Sequence, residues 1–171
     1  MELGPYHDFL IACVGASASF IGLLFVALSL VITRKGESVD LEFSDRRLAE
    51  SAFTALANVF FVCLVALMPN TNIGYGALVM ALIGMRSSWL LFKRAKDIRG
   101  SEGGVYPKRE VFWIIASLLI YLAQAIYAWR LLLHPTSAAD LNMMTTVIII
   151  LFGAGLVRSW ELTGIRGGRK G

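Results

Sequence analysis

Three residues stand out by type and place: Arg86, Asn58 and Gln124 each lie deep inside a long apolar run. A charge inside a bilayer needs an acceptor, and an intramembrane amide hydrogen-bonds to a neighbouring helix or lines a hydrated path. At helical spacing Asn58 shares a face with Ser51 and Thr54, and Gln124 shares one with Ser117, Tyr121 and Ala128. Arg86 lies three to four residues past the centre of its run, about 5 Å from the midplane at ~1.5 Å per residue. Its side chain leans toward the helix N-terminus and so away from the nearer interface. The acceptors in reach are Asn58 or Gln124, helix carbonyls, Glu50 or Glu161, or a bound anion or lipid phosphate.

The inventory for catalysis is short. His7 and His134, with Asp8 and Asp140, are candidates for a metal or proton site, or are solvated surface groups. Cys13 and Cys63 fall at similar depth in two runs, which suits either a disulfide or two small apolar residues in a helix contact. No CxxC, HExxH, GxSxG or P-loop pattern occurs. Among the carboxylates only Glu50 falls within an apolar run, at its edge, so no intramembrane acid–base pair is available. The expectation is a protein that is not an enzyme, with no catalytic, cofactor-binding or metal-ligating residue and no cofactor.

The elements that must position these residues follow from composition. The chain has 171 residues, 57% hydrophobic and 16% charged, where an average soluble domain is nearer a quarter charged. Five apolar runs, 9–33, 49–68, 73–92, 111–133 and 143–160, make up some three-fifths of the chain and hold only four charged side chains: Glu50, Arg86, Arg130 and Arg158. About 20 mostly apolar residues cross ~30 Å of hydrocarbon. The predicted fold class is therefore all-α, one integral membrane bundle of five transmembrane helices spanning residues 1–171. Transmembrane strands, which alternate over ~10 residues, do not fit Ile21 to Leu28. Residues 1–8 carry Glu2, His7 and Asp8 but no Lys or Arg, so the first run reads as a retained span rather than a cleavable signal peptide.

Lys and Arg in short loops set orientation. Arg34, Lys35, Arg46 and Arg47 follow the first run, six basic residues from Lys93 to Arg109 follow the third, and Arg166, Arg169 and Lys170 end the chain. The loops at 69–72 and 134–142 carry no Lys or Arg. This alternation predicts the N-terminus outside and the C-terminus in the cytoplasm. Tyr6, Tyr75, Tyr127 and Trp129 then fall at outer ends and Trp89, Trp113 and Trp160 near inner ends, as interfacial belts. Ser44 and Asp45 read as an N-cap with an acidic first turn, and Pro69 and Pro135 as stops. The basic face attracts anionic headgroups; positive-inside topology accounts for the net charge of +4 without nucleic acid.

On the first run Ala12, Gly15, Ser19, Gly22, Ser29 and Thr33 recur at three, four or seven residues, on one helical stripe. Small-xxx-small spacing lets helix backbones approach closely. Gly15, Ser19, Gly22 and Ser29 thus read as a helix-packing stripe, used within the bundle, in an oligomer contact or along a pore.

The segment from Val14 to Thr33 resembles the opening helix of a group of small bacterial multispan membrane proteins, some labelled as modulators of a membrane protease. The likeness runs on through Arg47-Leu48-Ala49-Glu50 and Leu67-Met68-Pro69 and covers about a third of the chain. It implies a multi-pass protein of the bacterial inner membrane. Phe43-Ser44-Asp45 resembles the Phe-Ser-Asp signature of lysosomal and bacterial potassium channels, but the Arg of that family four residues before the Phe is Val39 here, and Arg46-Arg47 follows. The expected function is an accessory, regulatory or structural membrane component acting through helix–helix association, as a homo-oligomer or with another membrane protein. The alternative is a homo-oligomeric ion channel or transport-like protein with a path near Arg86, Asn58 and Gln124.

Overall fold

The computed structural model describes residues 4–35, 43–102 and 108–163, and its regular structure is wholly helical. A 3-10 turn at Gly4–Tyr6 leads into α1 (His7–Lys35); α2 (Phe43–Ala66), α3 (Ile73–Glu102), α4 (Lys108–Leu133) and α5 (Ala138–Thr163) follow. All five carry a stretch long and apolar enough to cross a membrane, namely His7–Ser29, Ala49–Ala66, Ile73–Lys93, Val111–Leu133 and Ala138–Glu161. The five spans agree to within two residues with those read from the sequence, apart from the end of the first, at Ser29 rather than 33, and the start of the fifth.

That start lies at Ala138 rather than 143, because Ser137 caps the helix. Its hydroxyl accepts from the Asp140 backbone N–H at 3.3 Å, and its carbonyl accepts from Leu141 N–H at 3.1 Å. The polar run Asp140-Leu-Asn142 hid this turn from a reading by hydropathy. At its other boundary, α2 begins at Phe43, so Ser44 and Asp45 fall in its first turn; their side chains lie outside the described ones. The α2–α3 turn is tight. Asn70 adopts φ 58°, a left-handed conformation that Asn tolerates. Asn72 then serves two helices at once: its Oδ1 accepts from Gly74 N–H at 2.8 Å as the N-cap of α3, and its Nδ2 donates to the Leu131 carbonyl near the end of α4 at 2.8 Å.

The hub of the bundle is α2, which packs against α1, α3 and α5, while α4 closes the far side against α3 and α5. Half of the membrane-crossing residues of α2 are buried, against 17% for α1, which leans on α2 with a minor contact to α5. Val59, Val62 and Cys63 of α2 share one buried cluster with Ile73, Leu131, Met144, Ile148 and Leu151, all at most 2% exposed, and Leu56 lies against Gly155 of α5. The outward surface is apolar on every helix, from Leu23 and Phe25 on α1 to Ile149 and Val157 on α5. Such a surface is a liability in water and ordinary against lipid.

One end of the bundle gathers the two hairpin turns and the start of α1. The Tyr6 hydroxyl hydrogen-bonds to Asn142 Oδ1, and Arg130 Nε pairs with Asp140 Oδ1 at 2.9 Å. The two loops without basic residues and the N-terminal segment therefore share one face, as the alternation of charge requires.

Candidate functional site

The midplane amides are brought together. Asn58 on α2 and Gln124 on α4 are both fully buried. Asn58 Nδ2 donates to Gln124 Oε1 at 3.1 Å, Gln124 Nε2 donates back to Asn58 Oδ1 at 3.0 Å, and the same nitrogen donates to the Ala77 carbonyl of α3 at 3.1 Å. This closed set ties three helices, and both Gln124 amide hydrogens are spent. The neighbouring hydroxyls bond back to their own helices, Thr54 to the Glu50 carbonyl at 2.7 Å and Ser117 to the Trp113 carbonyl at 2.8 Å. The midplane polar groups are thus arranged as helix ties.

The Ala77 carbonyl comes within reach of Gln124 because α3 and α4 approach closely. Gly74, Ala77, Ala81, Gly84 and Ser88 recur at three or four residues on α3, and all are buried. A Cβ at Gly74 would lie 2.7 Å from the Ala128 carbonyl, and one at Gly84 would lie 2.5 Å from the Tyr121 ring. This small-residue seam was missed in the sequence, although its spacing was the available signal.

The stripe that was singled out, on α1, faces the other way. Gly15, Ser19, Gly22 and Ser29 are all exposed, and a Cβ at Gly15 or Gly22 would meet nothing within 4 Å. Instead α1 turns Leu10, Ser17 and Leu24 inward, Ser17 satisfied by the Cys13 carbonyl at 2.6 Å. Packing inside its own bundle, one use considered for the stripe, is therefore not how this protomer uses it.

Arg86 stands apart from the amides. It is exposed, and it lies two residues from both Gly84 and Ser88, hence on the side of α3 opposite the seam. No hydrogen bond or ion pair joins it to another described residue. The amides Asn58 and Gln124 are taken by each other, so the three polar candidates do not line one path within the protomer. The remaining charges divide similarly. Arg130 is paired to Asp140, whose side chain is 5% exposed, and Arg158 sits 4.7 Å above the Trp113 ring, a cation–π contact joining α5 to α4. The Arg130–Asp140 clasp was not foreseen, because Asp140 sits in what reads as a loop.

His7 and His134 do not converge on one site with Asp8 and Asp140. His7 Nδ1 lies 3.6 Å from the adjacent Asp8, Asp140 is taken by Arg130, and His134 is exposed. No metal-binding cluster of His, Cys, Asp and Glu forms among the described residues. Cys13 and Cys63 are both free thiols, Cys13 half-buried on α1 and Cys63 buried on α2.

Five apolar helices with internally tied polar groups define a multi-pass membrane protein. No protein-family model, curated protein or solved structure matches the chain.

Proposed function

We propose that this protein is a non-catalytic accessory or structural component of the bacterial inner membrane, acting through helix–helix association with α1 as the associating helix. The observation that carries this reading is the outward small-residue stripe on α1. Between lipid-bathed helices there is no hydrophobic driving force, and close backbone approach over small residues supplies the contact instead. The same kind of seam holds α3 to α4 inside the protomer, whereas on α1 Gly15 and Gly22 are open. The partner is a second copy or another membrane protein.

The test exploits that openness. A Cβ at Gly15 or Gly22 meets nothing within 4 Å in the protomer, and both positions are exposed, so Gly15→Leu and Gly22→Leu are each expected to keep wild-type helicity and melting while losing association. Mass in detergent by light scattering, and cross-linking in liposomes, read the difference. A wild-type protein that stays monomeric and captures no membrane partner, or a Gly15→Leu/Gly22→Leu protein that associates as wild type does, overturns the proposal. Ion flux carried by the associated form would replace it with a path between copies.

A further inference from the structure

The lipid-facing side of α3 carries a charge where lipid chains should be. Tyr75, Val79 and Leu82 form one exposed stripe, and the stripe continues through Arg86 to Leu90 and Lys93. Arg86 and Lys93 are seven residues apart, two helical turns, and therefore stand one above the other with ~10.5 Å of axial rise between them. Lys93 tilts back toward Arg86, as helical side chains tilt toward the N-terminus, and Arg86, which the same tilt points toward the midplane, has to swing toward the Lys93 end for one anion to meet both charges. Trp89 lies between them at the edge of the stripe, 60% exposed and beside Phe92, with ring centroids 6.2 Å apart. An exposed indole at this level marks the zone where acyl chains meet headgroups.

Arg86 itself lies ~10 Å inside the hydrocarbon boundary on the Lys93 side, taking ~30 Å for the apolar thickness. A cation there persists when an anion is drawn to it by snorkelling and local thinning of the bilayer. A second copy of the chain has no carboxylate to offer at that depth among the described residues. Among the carboxylates whose side chains are described, Asp140 belongs to Arg130, Asp8 is at the opposite end, and Glu50 and Glu161 lie at span edges with partners of their own; Asp45, Asp97, Glu102 and Glu110 fall outside the apolar spans. An anion able to reach this depth along the α3 surface is the phosphate of a lipid, with Val79, Leu82 and Ile83 exposed alongside to take its chains.

We propose that Arg86 and Lys93 together hold the phosphate of an anionic phospholipid on the outward face of α3, in the leaflet at the Lys93 end. The site is independent of α1. Two stacked cations favour a headgroup with net negative charge over a zwitterionic one, whose own cation would be repelled. Arg86 supplies the planar fork that grips phosphate oxygens in pairs, and Lys93 a point charge above it.

The experiment uses the full chain in nanodiscs of equal phosphatidylglycerol and phosphatidylcholine, re-extracted gently, with retained lipids counted by native mass spectrometry. The wild type is expected to retain phosphatidylglycerol preferentially. Arg86→Leu and Lys93→Gln should each reduce that preference about fivefold, the effect of one basic side chain at a membrane surface. Arg86→Lys should keep most of it. Arg86 is exposed, so Arg86→Leu extends an apolar stripe without opening a cavity, and unchanged helicity will confirm that it folds. Equal retention of both lipids by the wild type, or an undiminished preference in Arg86→Leu, overturns the proposal. So does displacement of phosphatidylglycerol by inorganic phosphate, which would mark a site for a soluble anion. Disulfide cross-linking between copies through Arg86→Cys would place protein on this face and overturn it too.

Discussion

Asn58 and Gln124 show how a membrane interior makes a pair of amides structural. Each satisfies the other, and Gln124 has a third bond, to Ala77. Removing one amide leaves its partner buried with unfilled donors, whereas removing both leaves only smaller residues. Gln124→Ala and Asn58→Ala are therefore each expected to destabilise by about 1–2 kcal/mol, and the double variant by less than their sum. The coupling should be ~0.6–1.7 kcal/mol, the range for intramembrane hydrogen bonds. Unfolding by sodium dodecyl sulfate, followed by circular dichroism, measures the cycle. Strict additivity would show that the two amides act separately. Both residues were legible in the sequence as polar groups at mid-depth. That they answer each other rather than Arg86 was not, because residue 58 and residue 124 meet only through the packing of α2 on the α3–α4 pair.

Helices α1 and α3 carry the same small-xxx-small pattern and use it in opposite ways. On α3 the seam is filled by α4, so tightly that a methyl group at Gly74 would press on a backbone carbonyl, which cannot rotate aside. Gly74→Ala is expected to cost about 1–3 kcal/mol through overpacking. Gly15→Ala and Gly22→Ala should leave the protomer's stability unchanged or raise it by up to ~1 kcal/mol through helix propensity. Thermal melting of monomeric protein in detergent distinguishes them, and equal effects at Gly74 and Gly15 would contradict the different surroundings described for these helices. Where a glycine is merely open, as on α1, any demand for its small size comes from outside the protomer.

At the scale of the whole molecule, one end is held by a set of polar contacts. Asn72 reaches α4, Arg130 reaches Asp140 across the α4–α5 turn, and Tyr6 reaches Asn142. These bonds place the turns at 69–72 and 134–137 and the start of α1 on the same membrane face. Single cysteines at Asn70 and His134, both exposed, should then be labelled from the same side by an impermeant maleimide. The distribution of Lys and Arg predicts that this side lies outside the cell. Labelling of the two positions from opposite sides would refute the bundle's connectivity; labelling of both from inside would reverse its orientation alone.

The sequence by itself determined the class and the five spans, short of the first turn of α5, placed Asn58 and Gln124 at mid-depth, and predicted how the spans alternate. These are properties of local composition: the length of an apolar run against the thickness of a bilayer, and the charge of the loop that follows. Only the tertiary structure decided which side of each helix faces its neighbours. In water, burial separates apolar from polar faces, and the hydrophobic period reveals the inward one. In a membrane the lipid is as apolar as the core. Leu82 facing lipid and Leu56 facing α5 therefore look alike in the sequence, and so do the open stripe of α1 and the filled seam of α3. The same symmetry hid the outward position of Arg86, which its depth alone could not reveal.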